Sequence, residues 1–320
     1  MSDIDWEALI NRYDQFYIFT HIRPDGDAIG SSLAWGKALE QYGKKVKIFC
    51  PDLIPLKYTF LPDINISNVF QPPGKTPTPA FTLDCSDLER LDYMKDDVLQ
   101  LDRIINIDHH GTNNHFGDDN LVDPAAAATG EIIYNLICDL RLELTKDMSL
   151  YLYTAISSDT GSFKYENTTP QTMNIAAKLL GTGINPSFVS LKIFDEISLS
   201  SLHLLQDCLH NLKTDKAGKI AWMSTDEKKL EEHGVKPSEL EGYINYAKNI
   251  LGVEVGAFFH HTVKGGTKIS FRSKTVDIST VAASLGGGGH PRAAGCSMTG
   301  DPETIERTVI QKIADLFSAE

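Results

Sequence analysis

The segment HIRPDGDAIGSS (21–32) places one imidazole and two carboxylates within seven residues. Asp25 and Asp27 flank Gly26, and a two-residue spacing in extended chain points both carboxylates to one side. Gly26 between them permits close backbone approach. Imidazole with carboxylates suits a divalent transition metal, Mn²⁺ most naturally. The same two aspartates equally suit capping of a helix that starts beside them, and the motif by itself leaves both readings open. A calcium loop does not fit: twelve residues counted from Asp25 end at Gly36, where a glutamate is needed. Three further segments carry the same residue types: Asp84 in FTLDC, Asp108-His109-His110 closing RIINIDHH, and Asp159 in SSDTGSFKY. Each has an ordinary structural reading as well: a turn former for Asp84, a hydrogen-bonded loop pair for the two histidines, and a helix-end turn closed by Gly161 for Asp159. Asp159-Thr160-Gly161 does not read as an aspartic protease, which needs two carboxylates sharing a proton in a β-rich protein.

The elements that must position these residues alternate. The runs 15–21, 45–50, 81–85 and 103–110 read as strands. Helical spacing covers 28–42, stopped by Gly43, and returns at 129–142, 147–158 and 172–180. This alternation predicts an α/β domain, a parallel sheet with helices on both faces. Sites in such sheets form beyond the carboxyl ends of the strands, where His21, Asp84 and His109 fall. QPPGKTPTP (71–79) is a surface loop.

GTGINP (181–186) ends the first domain, so the spacing predicts domain 1–188, a helical linker 189–214 and a smaller α+β domain 215–320 across a cleft. In the latter, KIAWMS (219–224) reads as a strand. EVGAFFHHT (254–262) and TKISFRSK (267–274) read as an antiparallel pair joined by Lys264-Gly265-Gly266. A helix over 278–285 runs into GGGGHPRAAG (286–295), and 302–317 is a last helix. From His260 to Gly295 there are five basic residues (Lys264, Lys268, Arg272, Lys274, Arg292) against one acid, Asp277, a local charge of +4 in a chain of net charge -13. That is a focused anion site. Its glycines leave backbone N–H groups open to a phosphate, and Arg292 suits bidentate phosphate contact. The plainer alternative is a flexible turn beside a solvated arginine.

With 320 residues the chain suggests two domains, and 42% apolar with 23% charged residues is an ordinary globular balance. The acidic excess argues against coating long nucleic acid, duplex DNA included. No apolar run reaches bilayer-spanning length. MSDIDWEALINRYDQ lacks the order of a signal peptide, and five cysteines without a C-x-x-C pattern read as reduced thiols in the cytoplasm. The sequence therefore predicts no membrane partner. Oligomeric state is not legible.

Taken together, H-x-x-P-D-x-D at 21–27, Asp84, Asp108-His109-His110 and Asp159 resemble the DHH phosphoesterase superfamily. FRSK (271–274) and GGGGHPRAAG (286–295) resemble its DHH-associated domain. Within the superfamily the chain is most similar to the stand-alone bifunctional oligoribonuclease/pAp phosphatases. The resemblance implies two divalent metal ions, Mn²⁺ by preference. His21, Asp25 and Asp84 would hold one, and Asp27, Asp84, His109 and Asp159 the other, with Asp84 shared. It further implies that Asp108 orients a histidine and that His110 faces the substrate phosphate, these two being the catalytic pair. Arg272, Gly287, Gly288, Gly289, His290 and Arg292 would bind substrate. The implied reaction is in-line attack by a hydroxide shared between the metals. The implied substrates are short single-stranded oligonucleotides, from di- to pentanucleotides, and adenosine 3′,5′-bisphosphate (pAp). The same residues would serve a cyclic or linear dinucleotide phosphodiesterase. A manganese pyrophosphatase fits less well, because GGGGHPRAAG stands where its phosphate clamp would be. A long-strand exonuclease would need a further domain, and a non-catalytic nucleotide sensor would not need the complete Asp/His set.

Overall fold

The computed structural model describes residues 4–240, 242–263 and 265–317, apart from the side chain of His290. Lys264 thus lies outside the described residues. The chain divides into two compact units, one up to Glu196 and one from Ile197.

The first unit is built on six strands: β1 (Gln15–Phe19), β2 (Lys45–Phe49), β3 (Ile66–Ser67), β4 (Ala80–Leu83), β5 (Ile104–Asp108) and β6 (Asp119–Val122). Every pairing is parallel, in the order β3-β2-β1-β4-β5-β6. The central strands read QFYIF, AFTL and IINID and are buried on both faces, as parallel strands under helices must be. The chain builds outward from β1 to β3, then returns to lay β4 against the other edge of β1. This reversal opens a crevice beyond the carboxyl ends of β1 and β4.

The two faces are covered unequally. On one, Phe16, Ile18, Phe81, Leu83, Ile105 and Ile107 pack with the long helices Gly26–Gln41, Thr129–Asp139 and Lys146–Asp159. On the other, Tyr17, Phe19, Phe49 and Ile104 meet the short helical turns Leu88–Met94 and Lys95–Val98 and loop residues such as Phe70 and Phe116. The edge strands β3 and β6 were not foreseen from the sequence; they are two and four residues long and only half-buried, so they lack an apolar signature. Glycines bring the long helices together beside the crevice. A Cβ on Gly26 would lie 2.6 Å from Ser158 Cβ, and one on Gly130 would lie 2.7 Å from Ala155 Cβ.

The second unit carries a mixed sheet of β7 (Lys213–Thr214), β8 (Ile220–Asp226), β9 (Val255–His261), β10 (Gly266–Ser273), β11 (Gly288–His290) and β12 (Ala293–Thr299), in the order β11-β12-β10-β9-β8-β7. β8 and β9 are parallel and the other pairs antiparallel. One face packs Phe259, Ile269 and Phe271 against helices Ser279–Ser284 and Pro302–Leu316. The other packs Met223 and Phe258 against Leu204, Leu205 and Cys208 of helix Leu199–His210, so that helix belongs to this core. The second half of the glycine run is sheet: Gly288–His290 pairs with Ala293–Gly295. Among the described residues, no helix is long and apolar enough to cross a membrane.

Candidate metal centre

His21 lies two residues beyond β1, Asp84 directly follows β4, and Asp108, the last residue of β5, leads into His109 and His110. The strand order thus sets all three segments side by side. Asp84 adopts a left-handed backbone (φ 59°), which aspartate tolerates better than most side chains, and the resulting bend turns its carboxylate back over the crevice. Oδ2 lies 3.3 Å from His21 Nε2. Oδ1 lies 3.6 Å from His109 Nε2 and 3.5 Å from His110 Nδ1. One buried carboxylate therefore faces three imidazoles.

Asp25 turns one oxygen to the helix cap and the other toward His21. Oδ1 accepts the N–H groups of Asp27 and Ala28, capping helix Gly26–Gln41. Oδ2 lies 4.0 Å from His21 Nε2. Asp27 is fully buried in the first turn of that helix and accepts from the N–H groups of Thr129 (2.6 Å) and Gly130 (2.8 Å). Asp159 ends the glycine-packed helix Lys146–Asp159, and its Oδ2 lies 3.1 Å from His109 Nε2. The ligand atoms of His21, Asp25 and Asp84 lie within 4.8 Å of one another, as do those of Asp27, His109 and Asp159. All six residues singled out as metal ligands are thus gathered into two adjoining triads.

Two of the histidine rings are oriented by backbone carbonyls. His21 Nδ1 lies 2.7 Å from the Ile22 carbonyl and His109 Nδ1 lies 3.3 Å from the Ala126 carbonyl. A carbonyl oxygen only accepts, so each Nδ1 carries a hydrogen, and Nε2, which faces the aspartates, is the atom left to ligate an ion once its own proton is lost. His109 Nε2 is buried and makes no aligned hydrogen bond among the described residues, an omission that is costly unless another partner fills it. The electrostatics agree. Burial lowers the His21 and His109 pKa values, but the neighbouring carboxylates outweigh it and both are raised, His109 strongly. Burial, with repulsion from Asp84 and Asp159, pushes Asp27 well up. Burial likewise raises Asp159 to about 6. Burial opposes ionisation of Asp84, yet His21, His110 and His109 hold it well below the usual carboxylate range. Carboxyls forced up beside imidazoles forced up describe a pocket short of positive charge, which divalent cations supply. The donor set fits such ions.

Asp108 is wholly buried. Its Oδ1 accepts from His110 Nδ1 at 2.7 Å and from the His109 backbone N–H at 2.9 Å, and its Oδ2 accepts from Asn113 Nδ2 at 2.6 Å. Burial lowers the His110 pKa, but Asp108 and Asp84 raise it on balance. Three contributors went unread in the sequence. Thr129 Oγ1 donates to Asp84 Oδ1 at 3.0 Å, Gly130 supplies an N–H to Asp27, and Asn113 braces Asp108. The run AAAATGE (125–131) has no polar pattern to mark a site.

The remaining site candidates lie in the second unit. Residue 290 on β11, Ala293 on β12 and Arg272 on β10 form one row across the sheet; the His290 side chain lies outside the described residues. Arg272 Nη1 donates to the Phe271 carbonyl, and Arg292 Nε is buried without a hydrogen-bond partner among the described residues. A Cβ on Gly287 would sit 2.1 Å from the Gly295 carbonyl oxygen, and one on Gly289 would sit 2.6 Å from the Ala293 carbonyl oxygen, whereas Gly288 faces open space. Close strand pairing therefore accounts for Gly287 and Gly289 but not for Gly288.

Residues 15–156 match the family model "DHH family, N-terminal domain", and residues 219–319 match the DHHA1 domain. The chain is 33% identical over 291 residues to the bifunctional oligoribonuclease and PAP phosphatase NrnA of Thermus thermophilus, covering 89% of this chain and 84% of that one. The chain belongs to the DHH family. A second DHH relative, the Bacillus subtilis protein of the same description, is 27% identical over 90% of this chain and 91% of its own length. Among solved structures, an exopolyphosphatase-related protein from Bacteroides fragilis superposes with a TM-score of 0.89 at 27% identity, covering 97% of this chain and 94% of that one. The RecJ–Mn²⁺ structure from Thermus thermophilus shares the fold at a TM-score of 0.57 and 14% identity, covering 98% of this chain and 54% of that one.

Proposed function

We propose that this DHH-family chain is a phosphoester hydrolase dependent on a pair of divalent cations, Mn²⁺ foremost, acting on short oligonucleotides and on the 3′-phosphate of pAp. The carrying observation is Asp84: a single carboxylate set between His21 on one side and His109 and His110 on the other, at the switch point of the sheet. His21, Asp25 and Asp84 would hold one ion, and Asp27, Asp84, His109 and Asp159 the other. Asp27 keeps lone pairs for this role because two backbone N–H groups occupy only part of its acceptor capacity. When bound, such ions neutralise charge on phosphoryl oxygens and render water nucleophilic at neutral pH.

The chain's own groups do the rest. Asp108 fixes the His110 ring through Nδ1, and a protonated His110 would donate from Nε2 to a phosphoryl oxygen. The Thr129 hydroxyl is committed to Asp84, so it orients a ligand rather than attacking phosphorus. In the second unit, Arg272, Gly288, His290 and Arg292 would hold the rest of the substrate, with Arg292 gripping a second phosphate and the open space at Gly288 admitting one close to the backbone. Gly287 and Gly289 would keep the strand pairing that presents them.

One panel tests the reading. Metal-free protein reloaded with Mn²⁺ is assayed on pAp, di- to pentanucleotides, cyclic-di-AMP and pyrophosphate. The expected order has oligonucleotides and pAp first. Highest kcat/KM on cyclic-di-AMP or pyrophosphate would replace the substrate assignment, and binding of pAp without turnover of any compound would make the chain a sensor.

A further inference from the structure

Asp108 accepts two hydrogen bonds on Oδ1, from His109 N–H and His110 Nδ1–H. The charge-assisted bond to His110 aims that ring only while the carboxylate itself cannot rotate. Among the described residues, the sole donor to Oδ2 is Asn113 Nδ2, at 2.6 Å. The same amide reaches the Cys85 carbonyl at 3.1 Å and Asn106 Oδ1 at 2.8 Å. Asn106 in turn donates to the Cys85 carbonyl and to Thr82. Asn113 is itself held at both ends: its backbone N–H donates to the His110 carbonyl and its Oδ1 accepts the His115 N–H at 2.7 Å. It therefore ties the chain after β4, one residue past Asp84, to the end of β5.

We infer that Asn113 is a positioning residue that acts through Asp108 to aim His110 and sets the spacing between Asp84 and the histidine pair. The inference rests on the phosphoester-hydrolase reading for its kinetic consequence, but not for its structural one. A clamp holding a carboxylate that holds an imidazole resembles the outer contacts of metal sites, whose loss costs about 10–100-fold.

The test compares Asn113→Ala with Thr82→Val, which removes an acceptor at the far end of the same buried network without touching Asp108. Asn113→Ala is expected to lower kcat about 10–100-fold with KM within about twofold, while Thr82→Val keeps kcat within about twofold despite a lower melting temperature. In ¹⁵N-edited spectra of the metal-free protein, the downfield His110 Nδ1–H resonance is expected in wild type and Thr82→Val and is expected to vanish in Asn113→Ala. If the alanine variant does not fold, Asn113→Ser keeps an acceptor for the His115 N–H but lacks the amide donor, and reads the same quantities. A retained His110 resonance, or equal kcat losses in the two variants, would overturn the inference. A wild-type protein inert toward every phosphoester would remove the proposed function while leaving the spectroscopic comparison intact.

Discussion

The first unit buries its candidate site groups; the second displays them. At the crevice of the parallel sheet, Asp27, Asp84 and Asp108 are all but inaccessible, and each carboxylate is fastened by backbone N–H groups, imidazoles, a hydroxyl or an amide. Along the β10-β12-β11 edge, the glycines at 286–289 are largely exposed, and Arg272 and Arg292 are half-exposed. Buried charge must be held rigidly or neutralised, so the first arrangement is suited to holding ions in fixed geometry. Half-exposed arginines beside strand ends would, if they bind substrate as proposed, tolerate phosphate chains of variable length. The contrast predicts that damage to the first unit strikes turnover and damage to the second strikes KM.

The sharpest way to break this division is Asp84→Ala. Losing a shared ligand worth several kcal/mol of charge stabilisation should cost on the order of 1,000-fold in kcat, with less bound metal per chain by elemental analysis; full activity with unchanged metal would end the assignment. Next comes Arg292→Ala. Removing a charge-assisted phosphate contact should raise KM for short oligonucleotides about tenfold or more, leaving Mn²⁺ affinity as in wild type by calorimetry. A kcat loss with unchanged KM would dissolve the distinction between the units.

The pH dependence of stability sharpens the comparison further. In the metal-free fold Asp159 is raised from 3.8 to about 6, so the native state binds more protons than the unfolded one across that interval and stability falls as pH rises through it. His21, His109 and His110 are also raised; their contribution is full below about 6.5 and is lost as pH rises through their higher folded values. Asp84 is depressed, and its contribution disappears only in stronger acid. The melting temperature of the metal-free protein should therefore drop between about pH 5 and pH 8, while the increment from added Mn²⁺ should grow over the same range as protons cease to compete for the ligands. A metal-free melting temperature that climbs over that range would contradict the charge-deficient pocket. The smallest effect belongs to packing: Gly130→Ala sets a Cβ 2.7 Å from Ala155 and 3.4 Å from Asp27 Oδ1, and should destabilise by about 1–3 kcal/mol, read by denaturant unfolding.

The convergence of the candidate residues was legible in the sequence because they follow apolar runs. A strand long and apolar enough to be recognised marks its own carboxyl end, and His21, Asp84 and Asp108-His109-His110 all stand there. Asp25 was readable only as an ambiguity, since capping and metal binding call for the same side chain. The bracing residues were not legible: Asn113 is one of several polar residues in a loop, and Asn106 sits inside an apolar strand where only the fold shows its partners. β12, AAGCSMT, escaped because small residues alternate too weakly to betray a buried face, and β6 because an edge strand of DNLV resembles a loop.

Asp27 joins two helices as well as facing His109, since its oxygens clasp the opening peptide groups of Thr129 and Gly130. That grip does not depend on any ion. If cations bind here as proposed, the tether between the two helix starts would stay tied when one leaves, and the cage would keep its shape. Exchange of one metal for another should therefore proceed in the native fold, without passing through an unfolded chain.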